Sequence, residues 1–167
     1  MALAIAMLTA QQSPATGIRE LSRGQTVLIG TYRWNLETNN QAKEPGLDVW
    51  WENINAATNR LSPVNDAKLA RIPESAPAFE KLTYNDIVAL PFGVEPVPGS
   101  ALMRGARFAI KTTEGNYAKL LVMGYRDSHD FSFDSAKIVP DTQRERLLAR
   151  PKVADRHLEV SWVLWGK

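Results

Sequence analysis

The chain has 167 residues, of which 44% are hydrophobic and 23% charged, with 10 Gly, 10 Pro and no cysteine. This balance is that of one globular domain and excludes a disordered chain, which could not bury enough apolar surface to offset its ordering entropy. The missing thiols exclude disulfide frameworks, thiolate zinc sites, iron–sulfur ligation and cysteine nucleophiles. Lys plus Arg is 20 against 18 Asp plus Glu, a net charge of +2. So small an excess builds no phosphate-binding surface, and no nucleic-acid partner is expected.

Residues 1–16 form a signal-like or disordered N-terminal segment. Met1 to Ala10 is almost wholly apolar and runs into the polar, turn-forming Gln11-Gln12-Ser13-Pro14. It resembles the apolar region of a secretory signal without the positive residues that usually precede one. A bilayer crossing needs about 20 apolar residues, so no membrane span is predicted. Together with the resemblance described below, this segment gives secreted or periplasmic as the expected location.

Residues 17–167 are predicted to form a single β-rich domain, mainly β with one or two short helices. The expected architecture is an antiparallel sheet, a small barrel or a sandwich. Thr26 to Leu36 alternates as one strand, with Leu28, Gly30, Tyr32, Trp34 and Leu36 on one face. Leu47 to Ile54 is a second, with Leu47, Val49 and Trp51 on one face and Asp48, Trp50 and Glu52 on the other. A short strand is placed around Arg60 to Ser62. Thr83 to Asp86 reads as a helix start with an acidic third position, running to Leu90 before Pro91 stops it.

Arg107 to Thr112 alternates, Thr113-Glu114-Gly115-Asn116 is a turn, and Tyr117 to Gly124 returns as the partner strand. This is a hairpin. In it, Lys119 is expected to keep one strand face soluble. His157 to Trp165 closes the domain as a strand against that hairpin, completing a three-stranded antiparallel meander. Between them, about 125–156 reads as an insertion, with a small strand at Ile138-Val139 and a helix over Asp141 to Arg150.

Few residues carry chemistry. The chain has no GxSxG, P-loop, GxGxxG or HExxH pattern, so no catalytic residues are assigned. Glu44, Asp48 and Glu52 suggest paired carboxylates for glycoside hydrolysis. However, Asp48 and Glu52 lie four apart in a strand, about 13 Å between Cα atoms. That exceeds what either stereochemical course needs, and a solvated face is the expected role. Lys137 to Arg156 holds six basic and three acidic residues without interleaved aromatics, which reads as a solvated helix face.

His129 and His157 are the two imidazoles, and a metal or haem site could use both. Of the five Trp, Trp50 and Trp51 must point to opposite strand faces, and Trp162 and Trp165 likewise differ in parity. One of each set therefore leaves the main core face, where an indole can plug a sheet edge or stack a sugar, porphyrin or base. Trp50 and Trp165 are the candidates for ligand contact.

Three segments carry a resemblance: Leu36-Glu37-Thr38 leading to Asp48-Val49-Trp50-Trp51, the run Gly105 to Leu120 containing Lys111-Thr112-Thr113-Glu114-Gly115-Asn116-Tyr117-Ala118-Lys119, and the closing Val160-Ser161-Trp162-Val163. In this order they resemble a group of small exported bacterial β-proteins and, more distantly, are similar to the HmuY-type haemophores. The resemblance implies an extracytoplasmic, mostly antiparallel β domain that binds and does not catalyse. HmuY-type proteins hold haem between two side chains on loops. The resemblance does not align those positions with this chain, and if the function is shared the candidates for axial contact are His129 and His157, with Met103 and Met123 as softer substitutes.

The expected function is a non-catalytic extracytoplasmic binding or interaction module for a small molecule, glycan or protein. A haem-binding protein and a carbohydrate-binding module are the alternatives. No cofactor is predicted outside the haem alternative, and the metal content is left open.

Overall fold

The computed structural model of the chain describes residues 17–43, 46–55, 58–126 and 157–166. The expected insertion strand and helix, the basic run, His129, Glu44 and the N-terminal apolar segment lie outside them.

The first strand, β1 (Arg19–Leu28), begins earlier than alternation places it and ends at Leu28. The predicted single strand to Leu36 is broken by a turn in which the Tyr32 N–H donates to the Ile29 carbonyl at 3.0 Å. Thr31 sits there at φ 69°, a left-handed conformation that a β-branched residue resists. At this turn the chain leaves one sheet and enters the other. Beyond it, β2 (Arg33–Asn35) and β3 (Asn40–Ala42) form a short hairpin, followed by the longer pair β4 (Val49–Asn55) and β5 (Thr58–Pro63). The chain then crosses to β6 (Lys68–Arg71), passes a 3₁₀ turn at Phe79–Lys81, the helix α1 (Tyr84–Val88) and the two-residue β7 (Val97–Pro98). It closes with β8 (Arg107–Lys111), β9 (Tyr117–Arg126) and β10 (His157–Gly166).

These strands make two five-stranded sheets. The first has the order β1-β10-β9-β8-β6 and the second β3-β2-β4-β5-β7, with every pairing antiparallel. The expected mainly β fold is thus a sandwich-like pair of open sheets, and β8, β9 and β10 form the predicted meander. Between the sheets lies the main core, where Trp34, Trp51, Phe108 and Leu120 are fully buried. A second, smaller core covers the opposite face of the first sheet. There Leu82 and Ile87, from the segment around α1, pack on Ala109 and Trp165. That segment acts as a third layer.

Local signals explain the elements. Thr83 caps α1 as expected: its backbone N–H donates to the Asp86 carboxylate at 2.8 Å, and the Asp86 N–H returns to the Thr83 hydroxyl. The β8–β9 turn closes through the Gly115 N–H to the Thr112 carbonyl at 3.0 Å, with Gly115 at φ +85°. A Cβ there would meet nothing within 4 Å, so only the backbone conformation selects glycine. Gly115→Val is therefore expected to lower stability by about 1–2 kcal/mol, read by urea unfolding. An unchanged midpoint would mean this turn tolerates a β-branched residue.

Candidate functional site

Strand parity correctly sends Trp51 and Trp162 into the main core and leaves Trp50 and Trp165 half-buried elsewhere. Trp50 lies beneath the Arg33 guanidinium, 5.5 Å from its ring centroid, and belongs to the second sheet. Trp165 lies on the first sheet, in the wall of a groove of about 560 Å³ that also takes in Met123. His157 is buried (1% exposed), and its Nδ1 accepts the Gly30 N–H at 3.3 Å. Met103 is exposed. Among the described ligand candidates, Trp165 and Met123 both line this groove.

The groove crosses the outer faces of β1, β10 and β9, beside the Phe79–Lys81 turn. Its lining includes Phe79, Leu121 and Val163 with the polar Gln25 and Ser161, and the charged Glu20, Arg23, Glu80 and Lys119. Lys119 is the residue that sequence reasoning misplaces. Alternation puts it opposite Ala118 and Leu120, on a face read as solvated, yet it is 4% exposed. The reason is the third layer, whose position no local pattern shows. The Lys119 Nζ donates to the carbonyl oxygens of Phe79 (2.6 Å) and Leu82 (3.0 Å). It also stands over the rings of Phe79 at 4.7 Å and Trp165 at 5.3 Å. Burial holds its pKa below the usual lysine range, and the nearby Arg23 charge acts in the same direction. Arg23 itself is paired with Glu20.

A second cluster is acidic. Carboxylate oxygens of Glu37, Asp48 and Glu114 lie within 4.8 Å of one another, near enough for one cation. Asp48 and Glu52, predicted to be solvated, are buried at 0% and 7% exposure. Glu52 accepts from the Ser62 hydroxyl and from Arg60 across the β4–β5 pair. The Asp48 oxygens accept the Leu36 N–H (2.9 Å) and the Thr113 N–H (2.8 Å), tying the end of β2 to the β8–β9 turn. Glu37 Oε1 accepts from the Thr112 hydroxyl at 2.7 Å and the Asn116 amide at 3.0 Å across the same junction. These bonds give the cluster a structural task as the clasp between the sheets.

The fold and groove define a two-sheet β protein with one concave, mixed polar and aromatic face. No family model and no curated protein matches the chain. Among solved structures it is similar to the apo HmuY analog of Tannerella forsythia, at 12% identity and a TM-score of 0.44, over 90% of this chain and 100% of that one.

Proposed function

We propose that this chain is a non-catalytic extracytoplasmic binding module whose ligand lies in the groove beside Trp165. The observation that carries this reading is the groove's floor: a lysine fixed by two backbone carbonyls and flanked by two aromatic rings, inside a cavity of small-ligand size. Such a floor is already ordered before a ligand arrives, which lowers the cost of binding. Among the described lining residues there is no imidazole, and the Ser161 hydroxyl donates to the Gly24 carbonyl at 3.4 Å, so no base activates Ser161 there. Export is supported by the apolar run Met1 to Ala10.

A native mass spectrum of the protein from its source cells is expected to show mass in excess of the chain, released on denaturation and absent from Trp165→Ala. The bare chain mass alone would overturn the groove as a ligand site. Fractionation tests export separately, since unprocessed protein found only in the cytoplasm would remove that claim.

Haem is the second reading, favoured by one observation: the Met123 thioether shares the groove with Trp165. Haemin titration should then give a saturable, shifted Soret band that Met123→Ala abolishes. A spectrum matching free haemin, or a shift indifferent to Met123, would overturn haem ligation in the groove.

A further inference from the structure

Resting on the groove as the binding site, we propose that its ligand class is a neutral oligosaccharide. The charges lining the groove balance, with Arg23 and Lys119 against Glu20 and Glu80. Arg23 is already engaged by Glu20, and two of the three Lys119 N–H groups are given to the Phe79 and Leu82 carbonyls. An anionic ligand would gain little from cations so occupied and would meet two carboxylates. A cationic ligand would meet Arg23 and Lys119. A purely apolar ligand would strip water from the Glu20, Arg23 and Glu80 side chains without replacing its hydrogen bonds. A neutral polyhydroxylated ligand avoids each of these costs.

The uncharged part of the lining fits the same chemistry. A sugar hydroxyl both donates and accepts, and the groove supplies both kinds of partner. Gln25 does both, while the Ser161 hydroxyl oxygen and the Glu80 carboxylate accept. Beside them stand the rings of Trp165 and Phe79, whose negative π faces attract the weakly positive C–H face of a pyranose. Aromatic surface next to mixed donors and acceptors, at zero net charge, is what sugar recognition requires.

The test is titration of the full chain with maltohexaose, cellohexaose, xylohexaose, mannohexaose and chitohexaose, followed by tryptophan fluorescence and calorimetry. At least one should bind saturably. Trp165→Ala should weaken that binding at least tenfold, Glu80→Gln severalfold, and Trp50→Ala should leave it unchanged. Should Trp165→Ala fail to fold by circular dichroism, the exposed Glu80→Gln decides. Absence of binding to all five sugars overturns the inference. If haemin binds in a Trp165-dependent way while no sugar does, the sugar fails and the groove stands. Sugar binding indifferent to both groove variants overturns the groove itself.

Discussion

Trp34→Ala is expected to lower the stability of the fold by about 3–5 kcal/mol, the range for deleting a large buried aromatic. Trp34 is 1% exposed on β2 and meets Trp162 of β10 edge to face, at 5.7 Å between centroids and 75° between planes. This pair joins the two sheets, so the cavity left by alanine would open between layers rather than close by a side-chain shift. The indole N–H also donates to the Asn39 amide oxygen at 3.0 Å, holding the β2–β3 turn where Asn39 takes φ 49°. Trp34→Phe keeps most of the packing but loses that bond and part of the ring, and should cost about 1–2 kcal/mol. Trp50→Ala, on a half-buried indole, should cost less than either. Urea unfolding followed by far-ultraviolet circular dichroism ranks the three. Equal losses at Trp34 and Trp50 would contradict the placement of the two rings.

What the sequence shows of this architecture is the part decided by neighbours in the chain. The β8–β9 turn is legible because Gly115 supplies the left-handed residue between two alternating runs, and the start of α1 because Thr83 and Asp86 satisfy each other three residues apart. Trp parity at 50/51 and 162/165 is legible for the same reason. The break at Thr31 is not, because the apolar residues on both sides of the turn continue the strand alternation across it. Burial on the outward face is also illegible. Lys119 and Asp48 sit at positions that alternation assigns to water, and each is covered by a segment distant in sequence: residues around Phe79 and Leu82 for Lys119, the Thr113 turn for Asp48. Trp165 is found by parity, and Ser161 shares its face of β10, but Glu20, Arg23, Gln25 and Glu80 come from β1 and the Phe79–Lys81 turn, which no local spacing links to it.

Asp48 offers the sharpest electrostatic test. Burial pushes its carboxyl up to about 6 from an ordinary 3.8, the Glu37 and Glu114 charges add to the rise, and the amides of Thr113 and Leu36 oppose it. Burial wins. The native state therefore binds this proton more tightly than the unfolded chain does. The resulting stabilisation is fully present below about pH 4 and is lost as pH rises through 6. A difference of roughly two units corresponds to on the order of 3 kcal/mol. Asp48→Asn removes the titration and keeps one acceptor, so the stability difference between the native protein and this variant should shrink or reverse by about 2–3 kcal/mol from pH 4 to pH 7. Asp48→Ala removes both acceptors. The Leu36 N–H is buried and the Thr113 N–H partly so, and leaving them unpaired should cost about 2–3 kcal/mol at pH 5, since water can reach only the second. Urea unfolding of the three proteins at half-unit intervals of pH measures both effects. A native-minus-Asn difference that stays flat from pH 4 to 7 would show that Asp48 titrates as an ordinary exposed carboxylate, and with it that the clasp between the sheets is open to solvent.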